Sequence, residues 1–249
     1  METFSPNSEE SEISERGEKL EGNDLQEERA SEVNLELDKE IVESIEDSSL
    51  DIQEKVELIL VMAKLKPATE IVAYSEEWQR GESEKEIDPQ DVEGTEGLIK
   101  ETGLMYEIMP PEVVDSGAEG VKEGEEFGKR MELKFLVAGT GEGLDLIKKA
   151  YATNDEELFG KAYGFPQSSI EAYSGKRELI SQNELLDKGV DEEAVVFARF
   201  ELSRDNWEEE IKKAEAWARA VKEISPKVYR DFVEVMSDAI RRRGLHSER

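Results

Sequence analysis

The chain has 249 residues, 37% of them hydrophobic, with 62 Asp and Glu against 32 Lys and Arg, one histidine and no cysteine. Its net charge of −30 repels nucleic-acid backbones and anionic lipid surfaces. With no thiol, and with the one imidazole at His246 near the end, the interior cannot assemble a Ser-His-Asp triad, a cysteine nucleophile or a cysteine/histidine zinc cage.

Residues 1–30 are rich in Glu, Ser, Asn and Gly with few large apolar groups, a composition that predicts a disordered acidic tail. They carry no basic segment followed by an apolar one, so no signal peptide is expected and the protein reads as cytoplasmic. A single α+β domain is predicted over 31–244, with 245–249 as a C-terminal tail. The longest apolar run, Leu58–Ala63, is far too short to span a bilayer.

Val33, Leu37, Ile41, Val42 and Ile45 recur at near-helical spacing and predict a first helix. From Asp51 to Leu65 the spacing predicts a buried helix that Asp51 caps and Pro67 follows. Ala68–Tyr74 reads as a strand, and Ser75–Glu96 as an acidic excursion. Within that stretch Asp88 and Pro89 read as the N-cap and first position of a short helix that contains Leu98 and Ile99 and that Gly103 terminates. Leu104–Met109 is expected to be a strand stopped by Pro110 and Pro111, and Glu112–Arg130 a long connection.

Two further strands are predicted, Met131–Ala138 and Ala194–Leu202, both apolar with β-branched or aromatic residues. Between them the pattern predicts helices over Glu142–Tyr151, Asp155–Tyr163, Pro166–Tyr173 and Glu178–Asp187. Asp205 with Glu208 resembles a capping box opening a helix whose apolar face carries Trp207, Ile211, Ala214, Trp217, Ala218 and Val221. Ser225 and Pro226 open a last helix with the stripe Tyr229, Phe232, Val233, Met236 and Ile240, ended by Gly244 after the basic run Arg241–Arg243. The expectation is α+β: a small, mainly antiparallel sheet of about four strands packed by a helix layer.

Three constellations invite a chemical reading. In Phe135–Leu144 a strand runs through Gly139, Gly141 and Gly143 into a helix, the pattern by which backbone amides approach a nucleotide or S-adenosylmethionine. Val137 stands where such methyltransferases usually place an acid, and Glu142 would repel a pyrophosphate, so a plain strand-to-helix turn is the main reading and a cofactor loop the alternative.

Asp155–Tyr173 has the spacing of a helix-turn-helix: Gly160 for close contact, Gly164 for the turn, Ile170 as the apolar anchor. Its second helix offers Gln167, Ser168, Ser169 and Glu171 in place of basic groups, which favours a structural corner over a DNA reader. The acid triplets Asp155–Glu157, Asp191–Glu193 and Glu208–Glu210 each sit at a predicted helix start, where the dipole accounts for them without a metal.

Leu158–Tyr173, with Tyr163-Gly164-Phe165-Pro166 followed by two small residues and Ile170-Glu171, resembles uncharacterised archaeal and candidate-phyla bacterial proteins. Those carry a leucine-glycine-tyrosine-proline signature followed by paired cysteines. A strand and helix before it, and a strand leading into Ser203–Trp207 after it, extend the resemblance over roughly 130–240. Ser168 and Ser169 stand where such relatives often carry cysteines, and the resemblance implies no activity.

No catalytic residue, cofactor or metal is assigned. The expected function is a non-enzymatic protein-interaction or binding module whose partner is a protein, with membrane and nucleic acid disfavoured. The alternatives are a nucleotide- or S-adenosylmethionine-binding enzyme using Gly139–Gly143 and a helix-turn-helix regulator using Gly160–Ile170.

Overall fold

The computed structural model describes residues 37–79, 82–116 and 128–247. The tail read over residues 1–30 lies outside that range.

Helices announce themselves through their caps. Asp38 accepts from Glu40 N–H at 2.9 Å to start α1 (Lys39–Asp47), and Asp51 with Glu54 forms a full capping box on α2 (Ile52–Met62). Asp88 and Pro89 open α3 (Pro89–Glu101) as their order predicts. Thr140 caps α4 (Gly141–Thr153), which ends on Asn154 at φ 48°, and Asp155 immediately caps α5 (Glu156–Ala162). After α6 (Gln167–Tyr173) come α7 (Gln182–Asp187), boxed by Ser181 and Glu184, and α8 (Glu192–Phe197), capped by Asp191. The chain closes with α9 (Trp207–Ile224) and α10 (Pro226–Ser247), where Ser225 Oγ accepts from Val228 N–H at 3.1 Å.

Four antiparallel strands make the main sheet, with β4 (Gly128–Ala138) at its centre. Along one side runs β1 (Ala68–Tyr74), from Ala68 opposite Ala138 to Tyr74 opposite Glu132. The other side is shared end to end by β2 (Met105–Ile108), opposite Phe135–Ala138, and β3 (Glu112–Ser116), opposite Gly128–Glu132. Between these two segments Met109, Pro110 and Pro111 face only Leu133 and Lys134, so the edge carries one residue too many and bulges there. Neither proline has the N–H that a regular ladder would use. A two-residue pair, β5 (Leu179–Ile180) with β6 (Leu202–Ser203), lies apart from this sheet.

Alternation along β1 and β4 sends apolar groups both ways. Ile71, Ala73, Phe135 and Val137 join the large core with α2, α3, α8, α9 and α10, in which Trp217, Phe197 and Phe232 are fully buried. On the opposite face Ala68, Leu136 and Ala138 meet Ile147 of α4 and Ala162 of α5. Helices therefore cover both faces of the sheet, and each buried large apolar side chain contributes roughly 1.5–3 kcal/mol.

Several elements differ from the sequence expectation. Ala194–Leu202 is not a strand: Ala194–Phe197 are the last turn of α8, and only Leu202 and Ser203 are extended. Asp191 caps that helix, Glu192 and Glu193 occupy its first turn, and complete burial overrides the β propensity of Val195 and Val196. The stretch Glu112–Arg130 holds β3 and the start of β4. Its first part finds a partner in β4, which no local pattern announces.

Leu179 and Ile180 are extended, so the helix read over Glu178–Asp187 begins only at Gln182, after Ser181. Asp205 does not cap α9: Asn206 holds that position without a side-chain bond, while Asp205 pairs with Arg177 at 2.7 Å. The last helix continues through Gly244 to Ser247, because a single glycine costs a helix only about 1 kcal/mol.

Candidate functional site

The glycine turn between β4 and α4 is packed from below by the chain itself. Gly139 N–H donates to Pro67 O at 3.2 Å, and Gly143 N–H donates to Thr140 Oγ1 at 3.1 Å. A Cβ on Gly143 would stand 2.5 Å from Pro67 O, and one on Gly139 would stand 3.4 Å from Val61 O. Two of the amides that a phosphate would need are thus already committed, and β4 is antiparallel to every strand it pairs with among the described residues. Gly143 follows from the close approach of Pro67, whereas a Cβ on Gly139 would meet only Val61. A Cβ on Gly141 would meet only Met105 Sδ, at 3.9 Å.

The corner from α5 to α6 has the local geometry that its spacing predicts. Gly164 takes φ 70°, and a Cβ on Gly160 would lie 2.6 Å from Ile170 Cγ1, so the two helices touch where Gly160 lacks a side chain. Ser168, Ser169, Ile170 and Ala172 of α6 are all buried. That leaves its second helix little to present to a groove.

Ser168 leads inward to Glu210, which is 1% exposed. Glu210 accepts from Ser168 Oγ at 2.5 Å, from Ser203 Oγ at 2.6 Å and from Ser203 N–H at 2.7 Å, while Asn206 Nδ2 donates to Ser168 Oγ at 3.0 Å. One carboxyl group thereby ties α6, β6 and α9 together. Beside it the buried Ser169 hydroxyl has no partner among the described residues. Sequence reasoning placed Glu210 in a dipole-favoured acid triplet and missed its burial, although its spacing of three residues after Trp207, four before Ala214 and seven before Trp217 puts it on the apolar face and is a usable signal.

A second polar constellation occupies the part of the sheet that α4 leaves open. Tyr151 donates to Glu70, and Lys134 pairs with Glu112 at 2.5 Å and with Glu132 at 3.7 Å. Arg130 bonds Glu132 at 2.8 Å and stacks on Tyr74 at 4.2 Å. Burial raises the Glu70 carboxyl above the usual range. Burial also works against the Lys134 charge, yet Glu112, Glu70 and Glu132 together raise its pKa. The ammonium sits where a cation among carboxylates would, and no cluster of three or more metal-ligating side chains with room for an ion occurs among the described residues.

On the outer side of β1, Glu54 of α2 accepts from Val72 N–H at 2.7 Å and from Asp51 N–H at 3.1 Å, linking a helix start to a sheet edge. Burial lifts its carboxyl to about 7, against the pull of those two donors. An acid whose pKa is higher in the folded chain than in the unfolded one holds more protons when folded. Its contribution is therefore full below about 4.5 and is lost as pH rises to about 7. Glu54→Gln should flatten that segment of the stability curve by about 2 kcal/mol, read from urea midpoints of both proteins at pH 5 and pH 7. Parallel curves for the two proteins would contradict this assignment.

The third constellation surrounds the loop between α2 and β1. Lys66 is 3% exposed, pairs with Glu57 at 2.5 Å, and places its Nζ 4.4 Å from the Trp217 ring centre and 5.4 Å from that of Phe165. Arg199 reaches the same Glu57 at 3.6 Å and bonds Gln53 at 2.6 Å. Lys213 of α9 lies 5.8 Å from the Trp217 ring centre. Nothing in the local sequence pattern joins these residues, which come from four separate segments.

The outer side of β2 is open. Met109 N–H donates to Lys134 O at 2.9 Å, so by antiparallel alternation the N–H and C=O groups of Tyr106 and Ile108 point away from β4. No strand pairs with that side among the described residues. Met105 is 52% exposed, Ile108 39% and Val113 44%, so apolar groups stand exposed along an unpaired edge, Met105 and Ile108 on opposite faces of it. Compared with family models, with curated proteins and with solved structures, the chain matches none. No helix among the described residues is long and apolar enough to cross a membrane.

Proposed function

We propose that this protein is a cytoplasmic, non-enzymatic interaction module, and that it receives a short basic segment of a partner protein as an added strand along β2. The observation that carries this reading is the outward set of backbone groups on Tyr106 and Ile108, flanked by exposed Met105 and Ile108. Charge favours a basic partner: residues 88–116 hold eight acids and one lysine. Glu107 and Glu112 are already paired with Lys148 and Lys134, whereas Asp91, Glu93, Glu101 and Asp115 stand exposed around them.

The test uses a synthetic hexapeptide alternating lysine and valine, with a glutamate and valine counterpart as control. The basic peptide should bind with a micromolar constant that weakens as salt rises, and the acidic one should not bind. Ile108→Pro deletes one outward N–H and spares the ladder to β4, so it should weaken the peptide about tenfold with little change in unfolding midpoint. Equal binding of both peptides, or an unaffected Ile108→Pro variant, would refute the reading.

A further inference from the structure

The neighbourhood of Trp217 holds more positive charge than its own carboxylates neutralise. Lys66 and Arg199 share the single carboxylate of Glu57. Lys213 has no carboxylate partner at all among the described residues, and its one contact of this kind is with the indole of Trp217. On the same helix Glu209 is taken by Lys212 at 2.6 Å, and Glu210 by Ser168 and Ser203. Three cations therefore meet one neighbouring acid, in a protein whose net charge is −30. A partly buried ammonium beside a second ammonium is unfavourable unless an anion joins it.

We propose that Lys213 and Lys66, both close to the Trp217 ring, form a binding site for the anionic head, phosphate or carboxylate, of a small ligand that enters from the partly buried Lys213 side. Lys66 is sealed inside, where burial lowers the pKa of its ammonium and the Glu57 carboxylate opposes that loss, so it acts on the site through its charge and not by contact. Lys213 is the accessible donor. Phe200 packs against both Trp217 and Phe165, and these rings give the site an apolar wall in which a charge-assisted hydrogen bond is strong.

Linkage adds a signature that general charge screening lacks. Burial, then the Lys66 charge, push the Lys213 ammonium down to about 8. The anion binds the protonated amine, so affinity should fall about tenfold for each pH unit above 8 as that proton is lost. The groups that act on the pair are Glu57 and Arg199 through Lys66, and Lys66 itself on Lys213.

The experiment measures melting temperature and tryptophan fluorescence of the full chain against sodium phosphate and, in a second arm, sodium acetate, each at ionic strength matched with sodium chloride. A saturable rise in at least one arm is expected, and the arm that gives it identifies the head group. Lys213→Gln should weaken that anion at least tenfold, whereas Lys212→Gln should bind as the unaltered protein does. Lys213→Gln should also melt higher than the unaltered protein without anion at pH 7, which shows that the variant folds. The proposal is overturned if neither anion gives a saturable shift, if Lys213→Gln binds undiminished, or if affinity is constant from pH 7 to 9.5.

Discussion

Gly143→Ala should destabilise the fold by about 3 kcal/mol, although the new residue is a better helix former. The added methyl would sit 2.5 Å from Pro67 O and 3.2 Å from Pro67 C, both backbone atoms with no side chain to swing aside. That carbonyl also accepts from Gly139 N–H, so yielding would break the bond that fixes the turn. Moving α4 instead would open the cluster of Ala68, Leu136, Ala138 and Ile147 on the second face of the sheet. Gly141→Ala is the matched control: its Cβ meets Met105 Sδ at an ordinary 3.9 Å, so it should be neutral or slightly stabilising. Urea titrations of the three proteins decide the matter, and a Gly143→Ala variant within about 1 kcal/mol of its parent would show that the loop yields freely.

The other large effect is expected at Glu210. Replacing it by alanine removes the acceptor for two serine hydroxyls and one backbone N–H in the interior, at about 1–3 kcal/mol for each group left unsatisfied. A loss of about 4 kcal/mol follows, with Glu210→Gln intermediate because its amide keeps only one acceptor oxygen. Denaturant midpoints of both variants test this, and a loss under about 1 kcal/mol for Glu210→Ala would mean that water takes over the carboxyl group's partners.

Where a local chemical signal decides an element, the sequence is readable. Asp88-Pro89 and Asp51 with Glu54 carry their own helix starts, and Ala68–Tyr74 occupies the residues that its β-branched and aromatic pattern predicts. Where a distant partner decides, it is not. Glu112–Ser116 is extended because β4 stands beside it, and Ala194–Phe197 is helical because Asp191 caps it and the core swallows its whole circumference.

The same division runs through the candidate sites. Gly160, Gly164 and Ile170 reveal their corner by spacing alone. Gly143 is visible as a glycine, but the reason for it is Pro67, far away in the chain. Lys66, Glu57, Arg199 and Lys213 are brought together only by the packing of α2 and the loop after it against α9 and the segment after α8, so periodicity within any one segment cannot announce them.

The interruption at Met109–Pro111 has a bearing on what this edge can recruit. Only the four residues of β2 offer a regular register before two successive residues without amide hydrogens end it. A docked strand is therefore limited to roughly 13 Å of contact. Copies of the chain cannot stack edge to edge into a growing fibril along this border, so the same two prolines that cap recognition also guard the protein against its own aggregation.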